Sequence, residues 1–376
     1  MEPFLLSVVK YIKSKHESDL GKVCIVLPNK RASLYIKKYL FEVYQKAIWI
    51  PTIISSEELI LRISGLIKLD QVDLLSVLYE SYVKAMGEQA ESFDKFSKWG
   101  NLMLQDFNEL DRYLIDAPDV YENLSNIKEI ENWSLSGEKL SKAQEDYLLF
   151  MSNISKVYKC YTETLLSENK GYQGLIYREA SKKYLNHPYP NDFTKMYFCG
   201  LNAMNAAEVK IYKFLNNAGK AEFIWDADNY YLKDNKMEAG MFLRKHMPEL
   251  SGKDVHFVGD DFKSKKDIAI TSVAGATGQA LAVRAALDDL LKQGVNVDSL
   301  AIVLANEKLL FPILKILPDE IKSVNISAEY PVKFTEVYAF IEQLITLQVA
   351  WQSNTGNSKR VFYKEILGVL SNPFFR

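Results

Sequence analysis

Apolar and polar positions fall into three regimes along the chain. In the first, Phe4, Leu5, Val8, Val9 and Ile12 recur at helical spacing, so residues 4–15 predict a short amphipathic helix. Val23 to Leu27 is an unbroken apolar run, the mark of a strand buried on both faces. The polar turn Pro28-Asn29-Lys30-Arg31 follows, and a helix then runs to about Tyr44. Ile48 to Ile54 is a second apolar run, broken by Pro51. Ser55 with Glu58 has capping-box spacing, so a helix through Leu66 is predicted.

The second regime, residues 55–187, is helical almost throughout. Leu74, Leu75, Leu78, Tyr79 and Tyr82 share one helical face, and Phe107, Leu110 and Leu114 share another. Tyr147, Met151, Ile154, Tyr158, Tyr161 and Leu165 step by three and four, a stripe that reads as core. The acidic stretch Ala117–Trp133 is expected to be an exposed loop. A helical stretch of this length is a subdomain, not a loop.

Strand-like runs then return. Met196 to Cys199 ends at Gly200, Asn205 with Glu208 caps a helix to about Asn217, and Ala221 to Trp225 ends in Asp226-Ala227-Asp228. Residues 229–265 are polar and expected to be irregular. Beyond them Ile268–Val273, Leu300–Leu304 and Val324–Ile326 predict strands. Helices are predicted over Gln279–Lys292, over Glu307–Ile316 and from Thr335 to about Trp351. That βαβαβα order predicts a second α/β domain.

Composition narrows the chemistry. With 376 residues, 48% hydrophobic and 25% charged, the chain has the make-up of a globular protein of two or three domains. A net charge of -2 excludes a uniformly basic nucleic-acid coat but leaves room for a local basic groove. Cys24, Cys160 and Cys199 are too few and too scattered for a disulfide framework, which points to a reducing, cytoplasmic setting. The first fifteen residues lack the apolar core of a signal peptide, and no run approaches the ~20 apolar residues of a membrane span.

Enzyme signatures are weak. His16, His187, His246 and His256 fall in unrelated segments, and Cys199 has no histidine near it in sequence. No G-x-x-x-x-G-K-[ST] string occurs. Gly21-Lys22 leads into a strand, and Gly275-Ala276-Thr277-Gly278 carries no lysine. Pro318-Asp319-Glu320-Ile321-Lys322 compresses the letters of a metal-dependent nuclease motif into one turn, and Asp254 with Asp261-Phe262-Lys263 is a loose match in a polar loop. Both read as chance. The Pro28–Arg31 turn does offer Asn29, Lys30, Arg31 and backbone N–H groups where a strand feeds a helix, a position suited to phosphate. Taken alone it reads as a βα connection with solvated charges.

Two α/β layers, the first interrupted by a helical insertion, resemble the layout of superfamily 1 DNA helicases. Leu27-Pro28-Asn29-Lys30-Arg31-Ala32 resembles motif Ia, the segment that contacts single-stranded DNA in those motors. Ala221–Tyr231 looks like a worn motif III, and Leu300–Asn306 lies where motif IV would fall. The chain is most similar to the AddB/RecB-type helicase–nuclease family, within it the AddB-like PD-(D/E)XK nuclease proteins of Bacteroidetes-like bacteria. The resemblance implies a RecA-like (P-loop NTPase-like) parallel-sheet domain from residues 1–54 and 188–265, a helical insertion over 55–187, and an incomplete second RecA-like domain over 266–376. It places the expected Mg²⁺-binding carboxylate at Cys199-Gly200 and the expected phosphate-sensing arginine at Ala305, so the nucleotide site is degenerate and ATP hydrolysis is not expected.

On this resemblance the chain is a DNA-binding or DNA-guiding module for double-strand-break repair. It needs no cofactor, its partner is an AddA-like subunit that hydrolyses ATP, and its nuclease lies beyond residue 376. Asn29, Lys30 and Arg31 are the expected phosphate contacts, Lys37 and Lys38 supporting charge, and Tyr35 and Trp225 candidate stacking surfaces. Two alternatives stay open: a purely protein-binding scaffold, and an ATPase with a divergent site.

Overall fold

The computed structural model describes residues 2–17, 20–121, 123–124, 142–185, 187, 189–251, 257–353 and 360–375. His256, Asp254, part of the Ala117–Trp133 stretch, and the side chains of Tyr147 and Met151 lie outside the described set. The chain divides into two compact units, Met1–Lys265 and Lys266–Arg376.

The first unit is mixed α/β, built on a four-stranded parallel sheet in the order β2-β1-β5-β6. Its strands are β1 (Val23–Leu27), β2 (Thr52–Ser55), β5 (Lys195–Cys199) and β6 (Ala221–Ile224). Val26 of β1 stands beside Ile54 on one side and Phe198 on the other. Side chains alternate across the sheet. Val23, Ile25 and Leu27 pack with Tyr197, Cys199 and Ile224 under α1 (Phe4–Lys15) and α2 (Ala32–Tyr44). Cys24, Val26, Met196, Phe198, Phe223 and Trp225 point the other way, into a core closed by α3 (Ser56–Ser64), α7 (Gln173–Lys183), α8 (Ala206–Asn217) and α10 (Met241–Ser251). With helices on both faces, every residue of β1 is buried, which is why the strand carries no polar alternation.

The caps behave unequally. Asn205 Oδ1 accepts from Glu208 N while Asn205 N donates to Glu208 Oε2, both at 3.0 Å, so the box before α8 is complete. Ser55 Oγ accepts from Glu58 N at 3.2 Å, but the Glu58 carboxylate pairs with Arg62 instead of closing the box.

Between β2 and β5 the chain makes the helical insertion: α4 (Gln71–Met86), α5 (Phe93–Arg112), α6 (Lys142–Ser167) and α7. A two-residue parallel bridge, β3 (Ile67–Lys68) with β4 (Lys170–Gly171), ties its ends. Leu78, Tyr82, Phe96, Phe107 and Tyr161 form a separate aromatic core there. Asp111, at the end of α5, is buried beside it. Its carboxylate accepts from Tyr158 Oη and Arg178 Nε at 2.5 Å each, and from Tyr172 Oη.

Residues 229–265 depart from the expected irregular stretch. They hold α9 (Asn229–Lys233), α10 and β8 (Val258–Gly259), which pairs in parallel with β7 (Ala227–Asp228) just before them. The spacing of Leu243, His246, Met247 and Leu250 carries α10, and Pro248 inside it obscures the pattern.

The second unit corrects the βαβαβα expectation. Its helices α11 (Gly275–Lys292), α12 (Leu310–Lys315) and α13 (Glu336–Ser353) lie near the predicted places, and α14 (Tyr363–Leu370) is a further helix that the pattern does not include. Ile268–Val273, Leu300–Leu304 and Val324–Ile326, however, form no strand among the described residues. A parallel strand is stable only with a neighbouring ladder and cover on both faces. Neither is present here: Ile270 is 94% and Val303 90% exposed, and α13 buries none of its residues.

Candidate nucleic-acid interface

The strand order places the candidate residues. From β1 the chain moves outward to β2, and after the insertion it returns on the opposite side of β1 as β5. The order therefore reverses between β1 and β5, and the carboxyl ends of that pair flank the crevice where open α/β sheets bind ligands. Leu27 and Cys199 end the two strands, so the Pro28–Arg31 turn and the Cys199-Gly200 turn leave the sheet side by side.

The Pro28–Arg31 turn is exposed throughout. Asn29 Oδ1 accepts from Ala32 N at 3.0 Å, so Asn29 holds the first turn of α2 in place. Ser33 Oγ donates to Lys30 O at 2.6 Å and tightens the same turn. No acidic residue occupies the first turn of α2, so the positive end of the helix and the exposed side chains of Lys30 and Arg31 carry one sign of charge. Further along, Lys37 is exposed, while Lys38 lies 3.8 Å from Glu42 in an exposed pair of little energetic consequence. Tyr35 is 47% exposed.

Trp225 is placed otherwise. It is buried in the core, stacked on Phe223 at 5.9 Å, with Nε1 donating to Ser251 Oγ. It offers no face to a base. The sequence carried the signal: Phe223 and Trp225 are two apart on one strand and share a face.

The β5 side has no charge to offer at the position of the expected carboxylate. Cys199 is fully buried, and desolvation pushes its thiol well above the ordinary range. Cys24, behind it, is pushed up to about 12 by the same cause. These thiols are held protonated, unsuited to nucleophilic work. Gly200 turns the chain with φ +68°, and a Cβ there would stand 3.2 Å from the Phe4 ring. At this end of the sheet Asp226, just past β6, is exposed, and partial desolvation raises its carboxyl. Ala305 belongs to the second unit, where it lines a cleft of about 330 Å³ with Val273, Gln279 and Asn306. Pro318–Lys322 is a turn closed by Ile321 N donating to Pro318 O at 3.0 Å. Among the described residues no group of three His, Cys, Asp or Glu side chains is placed to hold a metal ion. Nor is any described helix long and apolar enough to cross a membrane.

Two exposed aromatics farther along α2 and its connection to β2 carry a weaker signal in the sequence. Phe41 is 82% and Trp49 79% exposed. The signal for Phe41 was its place on the stripe opposite Ile36, Leu40 and Tyr44, the buried face of α2. No protein-family model matches the chain, and no curated protein matches it either.

Proposed function

We propose that this chain is a helicase-like module that binds or guides DNA without hydrolysing ATP, its first unit a RecA-like domain carrying a helical insertion. The module belongs to a break-processing helicase–nuclease of the AddB/RecB type, and an AddA-like subunit supplies the motor. The observation that carries the reading is the pairing of β1 with β5. It sets a cationic turn (Asn29, Lys30, Arg31) beside a turn, Cys199-Gly200, that has neither metal-binding carboxylate nor phosphate-gripping lysine. Phosphate binding asks for positive charge, which Lys30 and Arg31 of the first turn supply. Phosphoryl transfer asks also for a metal held by acid, which the second turn lacks.

The test is titration of a labelled single-stranded oligonucleotide, beside an ATPase assay. Binding that weakens in Lys30→Ala/Arg31→Ala, with no magnesium-dependent turnover, supports the reading. Equal binding by the variant refutes the site, and turnover refutes the loss of ATPase chemistry.

A scaffold with no DNA contact is the second reading. It draws on the second unit, where α13 buries none of its residues and leaves Ile341, Ile345 and Val349 exposed, as a surface for another protein would. A complex with a helicase subunit that survives high salt, without oligonucleotide binding, would select it.

A further inference from the structure

The outer face of α2 and the α2–β2 connection carry an unusual mixture. Leu34, Lys38 and Phe41 lie on the solvent stripe of α2, opposite the buried Ile36, Leu40 and Tyr44. Trp49 stands exposed just before β2. Between Pro28 and Ile50 there are five cations (Lys30, Arg31, Lys37, Lys38, Lys46) and one acid, Glu42, in a chain of net charge -2. Because β1 and β2 are parallel, α2 returns from the carboxyl end of one to the amino end of the other. Its thirteen residues make a track about 20 Å long. Lys30 and Arg31 stand at one end; Lys46 and Trp49 follow the other.

From this we infer that the outer face of α2 is a track for single-stranded nucleic acid, in which Phe41 and Trp49 stack on bases while the lysines meet the backbone. The inference rests on the nucleic-acid reading above and selects its ligand: a single strand over a duplex. Charge alone would serve any polyanion. Exposed aromatic faces distinguish the cases, because a duplex keeps its base faces inside its own stack and a single strand offers them. An acidic protein segment would satisfy the lysines but has no planar faces for both rings.

Three labelled ligands separate the possibilities with the full chain: oligo-dT, a strand of the same length made of abasic sites, and a duplex of that length. Wild type is expected to bind oligo-dT at least about thirtyfold tighter than the abasic strand, since two stacked bases contribute together. Phe41→Ala/Trp49→Ala should erase that preference and leave abasic binding unchanged, and Phe41→Tyr/Trp49→Tyr should restore it. Lys30→Ala/Arg31→Ala should weaken both strands alike. Equal wild-type affinity for oligo-dT and the abasic strand, a preference that survives in the double alanine variant, or a duplex bound as tightly as oligo-dT would overturn the inference. The nucleic-acid reading would then still stand, and the aromatics would belong to a protein contact. No binding of any strand would remove both.

Discussion

Asp111→Ala should open the helical insertion while leaving the sheet intact. Asp111 is buried, and its carboxylate receives Arg178 Nε, Tyr158 Oη and Tyr172 Oη. Removing it leaves the guanidinium of Arg178, itself largely buried, without its counter-charge. Breaking one side of a buried ion pair costs roughly 3–5 kcal/mol. The two tyrosine hydroxyls each lose an acceptor, an added cost of about 1–3 kcal/mol that overlaps with the first and does not simply add. Arg178 also donates to the Leu110 and Ile115 carbonyls, which survive and hold part of the junction. A net loss of about 3 kcal/mol is therefore expected, equal to a rise of roughly a hundredfold in local opening. Hydrogen exchange read by mass spectrometry is the assay, because two compact units make a single global transition unsafe to assume. Peptides from α5, α6 and α7 should exchange faster and peptides from β1 and β5 should not. A change below about fivefold, or an equal rise everywhere, would refute the assignment of Asp111 as the junction's keystone.

Other outcomes follow from single sites. His246 is buried with both ring nitrogens lacking a hydrogen-bond partner, and desolvation, then Lys245 and Lys213, lower its pKa against the weaker pull of Glu249 at 3.9 Å. Its folded value lies below the unfolded value of about 6.5, so stability is full above that pH and falls as the solution is acidified through the folded value. Urea unfolding of the first unit should show that loss, and His246→Leu should remove it; an unchanged pH profile in the variant would contradict the cause. Gly200→Ala forces a Cβ into a left-handed turn and toward the Phe4 ring, for a loss of about 1–2 kcal/mol in thermal or urea unfolding. Asn205→Ala removes the cap of α8 and should cost about 1 kcal/mol, read in the same way.

The sheet of the first unit was legible because its strands are buried on both faces and so read as short apolar runs: Val23–Leu27, Met196–Cys199 and Ala221–Trp225. The caps at Ser55 and Asn205 were legible because capping is local. Strand order was not, and with it the neighbourhood of Asn29–Arg31 and Cys199-Gly200, since nothing in the sequence states that β5 enters beside β1. The same is true of Asp111 and Arg178, 67 positions apart and joined only by packing. Ile268–Val273 and Leu300–Leu304 have strand composition, yet composition supplies propensity and not a partner strand. Trp225 shows the converse: an aromatic at a strand end was read as a surface, while its alternation with Phe223 placed it inside.

The most direct test of the nucleic-acid site is its salt dependence. Affinity for a single-stranded oligonucleotide, measured by anisotropy across a range of salt concentrations, reports the number of phosphates neutralised. If Lys30 and Arg31 each meet one phosphate, Lys30→Ala/Arg31→Ala should flatten the logarithmic slope by about 1.4 and weaken binding at every salt concentration. A slope and an affinity unchanged from wild type would show that the cationic turn at the end of β1 does not touch nucleic acid.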